Sequence, residues 1–371
     1  MDTPHKTLID GSKLTIEALA RAGSEVFVGY PITPSNLMYA YAKQRMPVFL
    51  AAPDEITTLQ WMAGISAAGK VPVTSSAFPG IALMVESINM AYAMELPMVI
   101  VITQRLGPST GSATTGAQGD LSLLKGIISG GYPVPVFSPS DFEDIWNLAA
   151  KAMETAVKYR TPVFFLTSKE MIMTQKAFDL NRLKPIAPYR PDTEVSGEFK
   201  PYKPEKHLTP AYIPLGNDKY LTRITASTHD QEGNIRKAEP EALENSMRLR
   251  KKLVNHLDDY LVFDWNRQSD GASDTLLVTW GITAEAVRDA VDRLNKQGKR
   301  VDTLIVKTLL PVSDKIYEII DQYPEVYIVE ENLTGQYKEI LFGEKAPSHI
   351  RSINKIGTMI TPDEIIKTLM S

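Results

Sequence analysis

The chain has 371 residues, 43% hydrophobic and 23% charged, enough for a sizeable core and two units with a connecting segment. Its net charge of −4 gives no basis for binding nucleic acid or an anionic membrane surface. With no cysteine it can hold no disulfide, thiolate nucleophile or thiolate-ligated zinc or iron–sulfur cluster, and its five histidines are scattered without metal-ligand spacing.

In chain order, residues 1–6 lack the apolar core of a signal peptide. The longest apolar run, residues 96–103, is too short to span a bilayer, so the expected location is the cytoplasm. Strand 26–29 runs into Tyr30-Pro31-Ile32-Thr33-Pro34-Ser35 and a helix over 34–44, with Thr33 as N-cap and Pro34 at the first helical position. Asp54 caps a helix over 55–68, which Gly69 stops. Strand 71–75 leads to a helix over 81–94. Strand 98–103 leads to a loop over 105–119 and a helix from Asp120. Residues 133–137 and 162–167 are further strands, with a helix over 141–157 between them. This alternation predicts a mostly parallel sheet covered on both faces. Seven prolines between Pro185 and Pro214 then mark a connecting arm, because proline cannot donate into a ladder or helix. A helix over 239–254 precedes a second α/β unit, with strands 275–280, 301–306 and 326–330 and a helix over 284–296. Thr361-Pro362-Asp363-Glu364 has capping-box spacing for the last helix. The expected division is 1–183, 184–265 and 266–371.

Open α/β sheets bind ligands at the carboxyl edge of their strands. Three segments should meet there: Thr33, Asp54-Glu55, and Gln104-Arg105-Leu106-Gly107-Pro108-Ser109-Thr110-Gly111. On spacing alone Glu55 is equally a good first-turn residue for a helix dipole, and Arg105 equally a surface charge.

These residues resemble a known family. Tyr30–Ser35, Asp54-Glu55-Ile56, Ser66-Ala67-Ala68-Gly69, Leu83-Met84, Glu95-Leu96-Pro97, Gln104–Gly111 and Gln118-Gly119-Asp120-Leu121 occur in that order. The chain resembles the alpha subunit of 2-oxoacid:ferredoxin oxidoreductases, which act on pyruvate, 2-oxoglutarate or branched-chain 2-oxoacids. Lys307-Thr308-Leu309-Leu310-Pro311 and Val329-Glu330-Glu331-Asn332-Leu333-Thr334-Gly335-Gln336 resemble the family's transketolase C-terminal-like domain. The resemblance therefore implies an α/β fold with a parallel-sheet, pyrimidine-type thiamine-diphosphate domain before it. It spans nearly the whole chain apart from the proline-rich arm.

The resemblance implies roles. Glu55 matches the glutamate that hydrogen-bonds the aminopyrimidine ring of thiamine diphosphate and favours its imino tautomer. Pro31 and Ile32 match positions beside the cofactor. Thr33 matches a residue touching the substrate's keto group, and Arg105 the arginine that holds the 2-oxoacid carboxylate, a task for a planar bidentate donor. Ser109 and Thr110 match substrate-side positions in the following loop. The expected reaction is oxidative decarboxylation of a 2-oxoacid to an acyl-CoA from coenzyme A, with electrons passing to ferredoxin, in either direction.

The segment that grips Mg²⁺ and the diphosphate, beginning Gly-Asp-Gly, is missing: Gly119-Asp120 continues into Leu121. Half a site is therefore expected here, with a beta subunit bringing Mg²⁺, the diphosphate grip and an iron–sulfur cluster. Ala63, Gly64, Ser66, Ala67 and Ala68 would let another helix approach closely, or serve ordinary core packing. Gly64-Ile65-Ser66-Ala67-Ala68-Gly69-Lys70 mimics a phosphate-binding loop but lacks its hydroxyl residue at Val71 and follows no strand. His229 reads as an exposed structural histidine, and Met84, Met90 and Met94 as core. Ala77-Phe78-Pro79-Gly80 departs from the family's Ser-Gly-Pro-Gly, and Ser168 stands where the family often has Asp. Both departures bear on substrate identity. The alternative is a non-catalytic transketolase-like scaffold or partner-binding subunit; a sugar-phosphate enzyme is disfavoured by the missing phosphate motif.

Overall fold

The computed structural model describes residues 6–267 and 273–371. His5, most of the N-terminal stretch read for a signal segment, and part of the start of the expected C-terminal unit lie outside the described residues. No helix among the described residues is long and apolar enough to cross a membrane.

The apolar runs pair into a seven-stranded sheet. Its order is Thr308–Leu310, Val136–Phe137, Pro162–Ser168, Met98–Gln104, Pro72–Ser76, Val26–Gly29 and Val48–Ala51. All its pairs are parallel except the first. Every residue of Pro72–Ser76, Met98–Gln104 and Pro162–Ser168 is buried, as near-continuous apolar strands in a helix-covered parallel sheet should be. After Val26–Gly29 the chain steps to the outer strand Val48–Ala51, then returns to the other side as Pro72–Ser76. That reversal opens a crevice beyond the carboxyl ends of these strands.

A second sheet runs Ile350–Asn354, Glu325–Glu330, Thr275–Thr279, Val301–Val306 and Phe263–Asn266, parallel except for the last strand. The two sheets exchange chain across the expected boundaries. Thr308–Leu310, from the C-terminal stretch, pairs with Val136–Phe137 in the first sheet, while Phe263–Asn266 of the arm begins the second. The short ribbon Lys6–Asp10 with Gln175–Asp179 carries mostly polar residues and gave no apolar signal.

Helix Glu55–Ala67 forms as expected. Asp54 Oδ1 accepts from Thr57 N at 2.7 Å, and Gly69, at φ +97°, ends it. Met84 lies in the core, with Met90 and Met94 packed against it. The capping box of Thr361 and Glu364 is present at the start of helix Pro362–Met370.

The helix near Thr33 needs correction. It runs Asn36–Arg45, so Thr33 is not its N-cap and Pro34 is not its first residue. Ser35 occupies the cap position, but its hydroxyl turns inward to Ser76 O (3.2 Å) and Thr103 Oγ1 (2.9 Å), tying the turn to the sheet. Thr33 Oγ1 instead accepts from Asn36 Nδ2 at 3.1 Å.

The arm carries only a single 3₁₀ turn, Lys206–Leu208, between Leu183 and Glu239. A buried charge cluster fastens it. Glu95, fully buried, accepts from Arg248 Nη1 (3.0 Å) and Lys252 Nζ (2.7 Å) of helix Pro240–Val254. Arg248 also reaches Leu208 O at 2.9 Å, and Arg160 donates to Glu95 O (3.2 Å) and Ala211 O (2.9 Å).

Candidate active site

Parallel strands place their following turns on one edge, so turn 30–35, the start of helix Glu55–Ala67, turn 77–80 and loop 105–119 converge. Arg105, 7% exposed, directly follows Met98–Gln104, and its Nη1 donates to Thr33 O at 2.6 Å. Its Nε is buried without a partner. Pro31 is exposed at the rim, while Ile32 and Thr33 are half-buried.

Glu55, 8% exposed, is the first residue of its helix and lies against the first turn of helix Phe78–Ala93. A β-carbon at Gly80 would collide with Ser76 Oγ and stand 2.7 Å from Glu55 Cγ and 2.9 Å from Glu55 Oε1. Only glycine lets the carboxylate occupy this place. Phe78, half-buried, begins the same helix. Behind the turn, Thr74 Oγ1 and Ser75 Oγ are buried without partners.

Ser109 and Thr110 are exposed in loop 105–119. The loop is folded on itself, with Leu106 N donating to Thr115 O (2.8 Å) and Ser112 N to Leu106 O (2.9 Å). Ser168, where the family often has Asp, caps helix Lys169–Met173 by accepting from Met171 N at 3.3 Å.

The sequence reading assigned no role to Asp120, though it quoted the Gln118–Leu121 motif. Asp120 is 5% exposed, with Oδ2 unpartnered, and burial pushes its carboxyl up to about 7 against the opposing pull of Arg105. Its backbone N–H donates to Gln104 Oε1 at 3.2 Å. Glu331, half-hidden in sequence among polar neighbours, is likewise raised by burial to about 7 and accepts from Ile360 N at 3.0 Å.

Two histidine expectations change. His229 is buried rather than exposed, at 4%, because its ring packs 3.9 Å from the Tyr202 ring and its Nδ1 meets Ser227 O at 2.6 Å. His207 and His256, far apart in sequence, come together with Asp259, their ligand atoms all within 4.8 Å. Lys158 and Tyr159 already hydrogen-bond that Asp259 carboxylate, each at 2.7 Å.

The small residues of helix Glu55–Ala67 divide between two roles. Ala63, Ser66 and Ala67 are buried inside this chain, and Ser66 Oγ donates to Pro97 O at 2.9 Å. Gly64 faces open space.

A family model described as pyruvate flavodoxin/ferredoxin oxidoreductase, thiamine diphosphate-binding, matches residues 17–249. The chain belongs to this family. Over 98% of its length it is 29% identical to the 2-oxoglutarate synthase subunit KorA of Methanothermobacter marburgensis, covering 98% of that protein. A solved 2-oxoglutarate:ferredoxin oxidoreductase from Magnetococcus marinus, with 2-oxoglutarate, coenzyme A and succinyl-CoA bound, superposes at TM-score 0.91 with 27% identity. That match takes in 99% of the present chain and 65% of the solved one. A split-gene transketolase, described as an inactive beta4 tetramer, shares the fold alone. It has TM-score 0.54 and 15% identity, covering 98% of this chain and 97% of that one.

The residues of this oxidoreductase-family chain fit the pyrimidine end of thiamine diphosphate. A buried carboxylate packs against a glycine that no side chain could replace without contact.

Proposed function

We propose that this chain is the alpha-type subunit of a thiamine-diphosphate-dependent 2-oxoacid:ferredoxin oxidoreductase, with 2-oxoglutarate the first substrate to test. The enzyme joins the acyl part of the oxoacid to coenzyme A, releases carbon dioxide and passes electrons to ferredoxin in the cytoplasm. A beta subunit brings Mg²⁺, the diphosphate grip and an iron–sulfur cluster. The observation that carries the reading is the convergence of Glu55, Thr33 and Arg105 at one strand edge, with Arg105 bonded to the Thr33 carbonyl.

Bound thiamine diphosphate would supply the electron sink for loss of carbon dioxide. Glu55 would hold the aminopyrimidine by a shared proton, and burial excludes the water that would otherwise compete for it. Arg105 has donors left after its bond to Thr33 O, and these would hold the substrate carboxylate. Thr33 would meet the keto group from the same turn. Ile56, Trp61 and Leu83, 43%, 42% and 53% exposed, lie on the two helices that flank Glu55 and suit cover by a second subunit.

Co-purification from the native host, then ferredoxin reduction over a panel of 2-oxoacids, tests the whole reading. A complex lacking a cysteine-containing, thiamine-binding chain would favour the scaffold alternative. Arg105→Ala is expected to raise the apparent KM for the oxoacid by roughly 10- to 100-fold, the loss of about 1.5–3 kcal/mol for a charged hydrogen bond. An unchanged KM would count against carboxylate binding there. Gly80→Ala should displace Glu55 and lower turnover by about 100-fold with little loss of helix content by circular dichroism. Normal turnover in that variant would show the contact to be dispensable.

A further inference from the structure

Two polar atoms are buried and unpartnered: Arg105 Nε, on the side chain that holds Thr33 O, and Asp120 Oδ2. Both residues are more than nine-tenths buried. A buried donor or acceptor left bare costs about 1–3 kcal/mol, so two such groups of opposite kind in one region call for a shared partner. They do not serve each other, since no ion pair joins Arg105 to Asp120 among the described residues. Yet Arg105 is the charged group whose field acts on Asp120.

Both groups stand on firm supports. Arg105 is pinned through Nη1 to Thr33 O. The Asp120 backbone is held by Gln104 Oε1, and Gln104 Nε2 is itself bonded to Thr167 O at 3.3 Å. The residues just before Asp120 are clamped by the second unit. Gln118 Nε2 donates to Trp280 O (2.7 Å), while its Oε1 accepts from Thr283 Oγ1 and Glu331 N, both at 2.8 Å. Asn332 Nδ2 reaches Gln118 O (3.1 Å) and Gln336 Nε2 reaches Gly119 O (2.7 Å). The backbone that carries the Asp120 carboxyl is therefore held on both sides.

A guanidinium N–H and a carboxyl group on fixed mounts suit a ligand with two acceptor oxygens, provided that the carboxyl carries a proton to donate. An ionised Asp120 would repel the same ligand. We infer that protonated Asp120 donates to the carboxylate of the 2-oxoacid alongside Arg105 Nε, so that substrate binding takes up one proton. This rests on the proposed oxoacid site at Arg105. Burial of Asp120 supports it by holding the carboxyl near neutrality instead of in the usual carboxylate range. Arg105 opposes that shift. Burial raises Glu331 to about 7, with Glu170 adding to the shift, and burial raises Glu330 beside it as well.

The test uses the complete complex with its active 2-oxoacid, measuring apparent KM between pH 5.5 and 9. The wild-type value should be flat at the acid end and rise toward about tenfold per pH unit above about 8, as binding comes to require uptake of a proton. Asp120→Asn, which always offers an N–H, should flatten the profile and bind at least about tenfold more tightly than wild type at pH 9. Glu331→Gln should keep the wild-type slope. A flat wild-type profile, a wild-type slope in Asp120→Asn, or loss of the slope in Glu331→Gln would each overturn the assignment while leaving the oxidoreductase reading intact. Absence of turnover with every 2-oxoacid would instead remove that reading and this inference with it.

Discussion

Glu55→Gln is expected to lower ferredoxin reduction by about 100- to 10,000-fold, the range for losing a positioned proton-transfer group. The substitution keeps size and shape, so the packing against Gly80 survives. Helix Glu55–Ala67 keeps its start, because the cap is made by Asp54 and not by Glu55. What disappears is the buried carboxylate proposed to share a proton with the aminopyrimidine. The effect should therefore fall on turnover, with subunit assembly and thermal midpoint close to wild type. Gel filtration of the complex beside the rate assay separates these outcomes. Wild-type rates would take Glu55 out of the mechanism, and failure to assemble would make it a structural residue instead.

Glu95→Gln is expected to cost about 3–5 kcal/mol of stability at neutral pH, the usual penalty for stranding buried charge. Arg248 and Lys252 pair with this one carboxylate, Arg160 donates to the Glu95 backbone carbonyl, and all four side chains are buried. Arg248 and Lys252 pull the Glu95 carboxyl below its ordinary range, despite the burial that works the other way. Burial lowers Lys252 from its ordinary value to about 8, against the pull of Glu95. The sign of the pH dependence follows. Between about 8 and 10.5 the unfolded chain binds the proton that folded Lys252 has released, so stability from this group rises with pH. In the variant Lys252 loses its counter-charge and releases its proton at lower pH, so the deficit should shrink as pH rises toward about 8 and stay level above it. Urea midpoints at pH 7 and 9.5 measure this. A loss below about 1 kcal/mol at pH 7, or a deficit that grows with pH, would contradict the account. The same variant should expose the arm near Leu208 and Ala211 to proteases, because Arg248 and Arg160 hold those carbonyls.

The long apolar strands were legible because a parallel sheet buried on both faces leaves a continuous hydrophobic run. Val301–Val306 was read to the residue, and Asp54 and Thr361 announced their helices through local hydrogen bonds. The ribbon Lys6–Asp10 with Gln175–Asp179 escaped notice because its partner strands lie far apart in sequence and its residues are mostly polar. The error at Thr33 has the same origin. A threonine before proline is a sound cap signal locally, but the Ser35 hydroxyl finds better partners on the sheet, and the helix starts later.

The sequence by itself determined the alternating class of the fold, the family, and the identity of the edge residues Glu55, Thr33 and Arg105, since these depend on short-range pattern and motif order. Only the tertiary structure decided what those residues touch. It set Gly80 against Glu55, joined Arg105 to the Thr33 carbonyl, and buried Asp120 beneath a clamp from Gln118, Asn332 and Gln336. It also passed Thr308–Leu310 from one unit into the sheet of the other. Burial and partnership are properties of chain segments distant in sequence, and desolvation, which raises a carboxyl such as Asp120, exists only after those segments close over it.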